Sequence, residues 1–131
     1  MIYGIGTDLV SIPRMERLWR RHGVRLAQRI LTVQEREEWA RRHESARYLA
    51  LRFAAKEAVA KALGTGFSAG VSLQAMSILA DQRGKPVVHF APGRMSDRLL
   101  EAGVTGVELS LTDELEWALA FAVAFGGGTH G

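Results

Sequence analysis

From Ile2 to Val10 the chain alternates in the manner of a strand, with Ile2, Gly4, Gly6, Asp8 and Val10 on one face and Tyr3, Ile5, Thr7 and Leu9 on the other. The period then changes. Ile12, Met15, Leu18 and Trp19 recur at helical spacing around Pro13, which suits a first helical turn because its missing N–H would have no partner there. A helix is therefore expected to about His22, with Gly23 interrupting it. Thr32 and Glu35 have the spacing of a capping box and predict a second helix from Val33 to about His43, anchored by Trp39. A longer helix is predicted from about Ala46 to Leu63. At 100° per residue, Leu51, Ala55, Ala58 and Ala62 form its apolar face, and Gly64 suits the left-handed conformation that commonly follows a helix end.

Beyond Gly64 the pattern is shorter in period. Val71 to Ala80 is strand-compatible, and Asp81 to Pro86 reads as a turn leading into Val87 to Phe90, so a hairpin is expected. Pro92 to Ala102 predicts a short helix with Leu99 and Leu100 inward and Gly103 at its end. Val104 to Thr112 and Trp117 to Phe125 predict two strands joined through Asp113 to Glu116. The last strand is almost wholly apolar and is expected to be central. This order of elements predicts an α+β fold, a small mostly antiparallel sheet packed against a long helix and shorter helices. Residues 1–125 are expected to form a single domain, and the glycine-rich tail over 126–131 to be disordered.

Composition narrows the chemistry. A chain of 131 residues is long enough for one core. It has no cysteine, so disulfides and thiolate metal sites are excluded. No window approaches the apolar length of a membrane span and no targeting pattern opens the chain, so a soluble cytoplasmic protein is expected. The formal charge is +3, but arginines crowd the early part at positions 14, 17, 20, 21, 25 and 29, which favours an acidic partner.

Charge also borders the apolar face of the long helix. Glu57 and Lys61 share one flank and Arg52 and Lys56 the other. Glu57 and Lys61 suit a solvated i,i+4 pair contributing about 0.2–0.5 kcal/mol. Asp8 is harder to place, because a carboxylate in an apolar strand is costly to bury without a partner. Capping a helix or pairing with an arginine would satisfy it, as would a ligand. Gly4 and Gly6 mark close approach of another backbone or of a ligand. The loop from Gly64 to Gly70 is either a plain turn or a set of backbone N–H groups offered to phosphate.

Two stretches also match a family pattern. Gly4-Ile-Gly-Thr-Asp8-Leu-Val and Arg52-Phe-Ala-Ala-Lys-Glu57-Ala-Val-Ala-Lys61-Ala-Leu-Gly-Thr-Gly66 resemble the two motifs of the 4′-phosphopantetheinyl transferases, in the short holo-acyl-carrier-protein synthase branch. Arg29-Ile-Leu-Thr-Val-Gln-Glu35 and Gly84-Lys-Pro86 support the match in the expected order. The resemblance implies magnesium-dependent transfer of 4′-phosphopantetheine from coenzyme A to a serine of an apo acyl carrier protein. By the same resemblance Asp8 and Glu57 look like metal ligands and catalytic residues, and Lys61 like the phosphate-facing cation. Arg52, Gly64, Thr65, Lys85, Pro86 and Thr112 look like coenzyme A contacts. Magnesium suits such a site, since it takes one or two carboxylates together with waters and substrate phosphates.

The chain departs from the family at one position. The family pattern near the C-terminus reads Ser, an aliphatic residue, Ser or Thr, then His, whereas this chain reads Ser110-Leu-Thr-Asp113. A carboxylate there would repel nucleotide phosphates unless it approaches the metal or accepts from a neighbouring arginine. Acyl carrier proteins are acidic, so Arg14, Arg21 and Arg25 become candidate docking contacts, with a solvated arginine face as the alternative. The resemblance further implies a homotrimer with sites between subunits. A basic polyanion-binding module and an inactive oligomeric relative are the competing readings. Trp19 and Trp39 occupy core-like helical positions rather than interleaving for base stacking, so nucleic acid is not the expected partner.

Overall fold

A computed structural model of the protein describes residues 1–67 and 71–127. The chain opens with β1 (Ile2–Ser11), then four helices, α1 (Ile12–His22), α2 (Val24–Ile30), α3 (Val33–Arg41) and α4 (Ala46–Ala62). A 3₁₀ turn at Leu73–Ala75 leads into β2 (Met76–Ala80) and β3 (Pro86–Phe90), followed by α5 (Arg94–Ala102), β4 (Val104–Glu114) and β5 (Trp117–Gly126). The main sheet is antiparallel in the order β1-β5-β4, and β2-β3 is a separate hairpin. The fold is α+β with the apolar last strand in the centre, as its composition requires. No helix among the described residues is long and apolar enough to cross a membrane.

Small residues decide how α4 meets the sheet. A Cβ built on Gly4 would lie 2.0 Å from the Ala62 carbonyl oxygen, and one on Gly6 would lie 2.1 Å from that of Ala58. Both glycines are therefore required by close approach of the helix backbone. In β5 the inward positions are Ala118, Ala120, Ala122 and Ala124, all fully buried. Strand and helix main chains pack with almost nothing between them. The large apolar residues consequently point the other way: Tyr3, Ile5, Leu9, Trp117, Leu119 and Phe121 are all exposed on the outer face.

The caps follow the sequence closely. Ser11 accepts from the Arg14 N–H to start α1, and the positive φ of Gly23 (57°) ends it. Thr32 and Glu35 form the reciprocal capping box of α3. Trp39 is buried and meets Trp19 edge to face, with ring centroids 5.0 Å apart. Gly64 follows α4 at φ 78°.

Several expectations need correction. Arg25 and Arg29 lie on a separate helix, α2, because Gly23 breaks the run without ending the helical signal. The strand expected over Val71 to Ala80 begins only at Met76. In α5, Leu100 is exposed and Met95 takes the buried position. Gly126 is part of β5 and its N–H donates to the Met1 carbonyl at 2.8 Å, so it does not belong to the tail; residues 128–131 lie outside the described residues. Finally, α4 is not amphipathic. It is buried nearly all round, Arg52 and Lys56 included.

Those two cations are held by α3. Lys56 is fully buried, with its Nζ donating to Glu35 Oε1 (2.6 Å), the Ile30 carbonyl (2.7 Å) and the Leu73 carbonyl (2.8 Å). Burial lowers the Lys56 pKa, with the Glu35 carboxylate pulling it back. Arg52 donates to Glu38 Oε1 (2.7 Å) and the Ile78 carbonyl (2.8 Å), and its guanidinium lies over the Tyr48 ring. The remaining oxygens of Glu35 and Glu38 accept from the N–H groups of Ile78 and Ala80, stitching β2 to α3. No buried side-chain polar atom among the described residues lacks a hydrogen-bond partner.

Candidate active site

β1 and α4 bring Asp8, Glu57 and Lys61 together. Lys61 Nζ donates to Asp8 Oδ1 at 3.2 Å and to the Thr7 carbonyl at 3.0 Å, so its partner is Asp8 and not Glu57, as a simple i,i+4 surface pair would have it. The Asp8 side chain is largely buried and that of Lys61 half exposed. Because Gly6 lets the backbones touch near Ala58 and Lys61, the strand can present Asp8 beside the last turns of the helix. Glu57 faces the same space. Burial first, and then the nearby Asp8 carboxylate, raise its pKa above the ordinary value, while Lys61 partly opposes them.

Asp8 and Glu57 line one end of an open groove of about 1380 Å³. Arg14 of α1 and Arg25 and Arg29 of α2 line the same groove, with Leu18, Leu26 and Phe53 supplying apolar floor. Arg21 is exposed at the end of α1 but outside that lining. Acidic and basic groups thus occupy distinct parts of one cleft.

The two carboxylates fit a hard divalent cation. No cluster of three or more histidine, cysteine, aspartate or glutamate side chains exists among the described residues, so a closed all-protein cage is absent there. Two carboxylates lining one groove, Glu57 with its pKa raised by burial and then by the charge of Asp8, leave coordination positions open for water and ligand oxygens, as magnesium prefers.

Ionised Glu57 carries an electrostatic cost that a metal would offset. A carboxyl with a raised folded-state pKa weakens the fold in its charged form, and stability is regained as pH falls through that pKa. Glu57→Gln is therefore expected to raise the melting temperature of the metal-free protein at neutral pH, and added magnesium to raise that of the unmodified chain but not of the variant. Differential scanning fluorimetry with and without magnesium checks both signs.

The other expected contacts do not converge on this end within one chain. Arg52 is corrected outright: with 6% of its surface exposed and its guanidinium taken by Glu38 and Ile78, it is part of the core and not a ligand contact. Gly64 and Thr65 follow α4 beyond Lys61, and residues 68–70 of the glycine-rich loop lie outside the described residues. Lys85 and Pro86 sit on the β2-β3 hairpin, where Lys85 pairs with Glu108 of β4 at 2.8 Å. Thr112 and Asp113 are at the far end of β4, across β5 from β1.

Asp113 is neutralised where it stands. It accepts from Arg47 Nη1, and the same guanidinium donates to the Leu115 carbonyl at 3.3 Å. The anion in the family's histidine position is thus held by an arginine in the first turn of α4, a helix of 17 residues that is about 25 Å long at 1.5 Å per residue. Glu35, which the sequence offers only as a helix cap, and Glu38, which it does not single out, turn out to hold the helix that carries Glu57 and Lys61. Their three-residue spacing, matched to the four-residue spacing of Arg52 and Lys56, was the available signal.

Comparison with known proteins identifies the family. The sequence pattern of the 4′-phosphopantetheinyl transferase superfamily matches residues 4–122. A holo-[acyl-carrier-protein] synthase of Halorhodospira halophila is 48% identical over 127 residues, covering 97% of this chain and 100% of the relative. The crystal structure of holo-[acyl-carrier-protein] synthase from Neisseria meningitidis superposes with a TM-score of 0.90 at 47% identity, over 95% of this chain and 99% of that one. The holo-(acyl-carrier-protein) synthase from Bacillus anthracis, solved in complex with CoA (3′,5′-ADP), gives 0.77 at 33% identity, over 95% and 96%. With both motifs in one cleft and the likeness running nearly end to end, the chain belongs to the 4′-phosphopantetheinyl transferase superfamily, as an enzyme of its holo-acyl-carrier-protein synthase branch.

Proposed function

We propose that this enzyme transfers 4′-phosphopantetheine from coenzyme A to a serine hydroxyl of an apo acyl carrier protein in the cytoplasm, with magnesium, releasing adenosine 3′,5′-bisphosphate. The observation that carries the reading is the groove itself, lined by Asp8 and Glu57 and by Arg14, Arg25 and Arg29, with Lys61 paired to Asp8. Asp8 and Glu57 would hold the metal, which when bound neutralises charge on the pyrophosphate oxygens of coenzyme A. Lys61 is half exposed and rests on Asp8, from which it can turn to the phosphate that departs.

The serine oxygen forms the new bond to phosphorus as the bond to the leaving bisphosphate breaks. Its proton goes to a site carboxylate. Asp8 and Glu57 are the two carboxylates placed to accept it. Apart from that transfer, phosphoryl chemistry asks the protein mainly for alignment and charge stabilisation.

Carrier proteins are acidic, and the arginines of α1 and α2 would steer and hold one over the groove. Incubating the protein with magnesium, coenzyme A and apo carrier should add the phosphopantetheine mass to the carrier, read by mass spectrometry. No mass shift across several carriers would leave an inactive relative as the reading. The double variant Arg14→Ala/Arg25→Ala should raise KM for carrier well above any change in KM for coenzyme A, and added salt should mimic it. Equal effects on both substrates would count against docking there.

The outer sheet face supports a trimer. Trp117, Leu119 and Phe121 are 45%, 38% and 39% exposed and adjoin Ile5 and Leu9, an apolar surface of the kind that marks subunit contact. Covering it with a second copy would also bring Lys85, Pro86, Thr112 and Asp113 of one chain toward the Asp8 end of another. Light scattering should give three times the chain mass, and Phe121→Asp should give monomer with little transfer activity. A fully active Phe121→Asp monomer would exclude a site shared between chains.

A further inference from the structure

α2 is an unusually dependent element. It has only seven residues, too few to be stable alone, and begins at Gly23 (φ 57°) with no side-chain cap. Ala27 and Ile30 anchor it in the core, and side chains from elsewhere in the fold grip its C-terminus. The Ala27 carbonyl is used by the Leu31 N–H, which leaves the next four carbonyls as the orphans expected at a helix end.

Lys56 and Gln74 between them reach all four, and Arg36 Nη1 also donates to the Leu31 carbonyl at 3.4 Å. Lys56 takes the Ile30 carbonyl from inside the core. Gln74, in the 3₁₀ turn, donates its Nε2 to the carbonyls of Gln28 (2.8 Å), Arg29 (3.2 Å) and Leu31 (2.9 Å). The two grips differ in kind. Lys56 is buried among charges and belongs to the fold, whereas Gln74 is exposed and lines the groove opposite the arginines of α2.

We infer that Gln74 is a positioning residue for carrier binding: by capping the end of α2 it holds Arg25 and Arg29 at a fixed distance from the Asp8 and Glu57 end of the groove. The inference rests on the transferase reading above. It acts through the arginines, so it bears on the macromolecular substrate and leaves the metal end alone. An amide is needed because three carbonyl oxygens must be met by a donor. Glutamate, of the same size, would repel them.

The test is steady-state kinetics of Gln74→Ala and Gln74→Glu with magnesium, coenzyme A and apo carrier. KM for carrier should rise about threefold to tenfold in Gln74→Ala, the range of a lost helix cap, and further in Gln74→Glu. kcat and KM for coenzyme A should stay within about twofold. Since Gln74 works through the rim, adding Gln74→Ala to Arg25→Ala/Arg29→Ala should change carrier KM less than it does in the wild-type background, the signature of coupled residues. Wild-type turnover with unchanged carrier KM in Gln74→Ala, parallel rises for both substrates, or simple additivity would each overturn the inference alone. A wild-type chain that modifies no carrier would overturn the transferase reading and this inference with it.

Discussion

Asp8→Ala and Glu57→Ala are each expected to lower kcat/KM for carrier modification by about 10²- to 10³-fold, the effect of removing one preorganised electrostatic group at a reacting centre. Among the described residues the two carboxylates are the only acidic side chains lining the groove, so neither has a neighbour there able to replace it. Loss should be larger in kcat than in the apparent affinity for carrier, whose contacts lie elsewhere along the groove. Each variant should still fold. Asp8 loses one ion pair with a half-exposed lysine, and Glu57 loses a charge that the fold holds at some cost. Kinetics together with circular dichroism check the prediction, and a folded variant with unchanged turnover would remove that residue from the site.

The largest effect on stability is expected inside α4's other flank. Lys56→Met leaves the Glu35 carboxylate buried without its cation and frees the Ile30 and Leu73 carbonyls together. Breaking a buried pair by removing one partner costs about 3–5 kcal/mol. For a domain of this size that corresponds to roughly 10–20 °C in Tm. Glu35→Ala should match it, since it strands Lys56 and also strips the Thr32 and Ile78 N–H groups of their acceptor. The pair is not worth that much in itself, because the figure is mostly the penalty of an unpaired buried charge. Lys56→Met/Glu35→Ala should therefore be less unstable than the sum of its parts. Thermal melts of the three variants decide it, and simple additivity would show the two residues to be uncoupled.

Much of the fold was legible because local rules and tertiary packing agree. Gly4 and Gly6 announced a close approach in β1, and the apolar run from Trp117 announced a central strand. Thr32 with Glu35 announced a helix start. What failed was the reading of charge on α4. A helical wheel separates apolar from polar, so it assigns every arginine and lysine to water, and it cannot see that Glu35 and Glu38 wait on α3 for Arg52 and Lys56. Arg52 entered the ligand contacts by resemblance alone, and only the fold shows it buried against Glu38 and Ile78. α2 was missed for a different reason: seven residues are too short to establish a period, and what holds them, Lys56 and Gln74, is distant in sequence and adjacent only in space.

The candidate site divides in the same way. Asp8, Glu57 and Lys61 sit on regular elements whose motifs are local, so they could be read directly. The pairing of Asp113 with Arg47 is a meeting of two distant segments, and only the fold reveals that the anion is already neutral.

The seam of Gly4, Gly6 and the β5 alanines has one more consequence. The spacing between Asp8 and Glu57 is fixed by main chain resting on main chain, with no rotamer in between to adjust. Such a spacing cannot drift by small repacking steps. Any side chain beyond a hydrogen at Gly4 or Gly6 would meet the α4 backbone and push the helix away. The distance between the two carboxylates is thus inherited all or none, as a calibrated length set by the backbone.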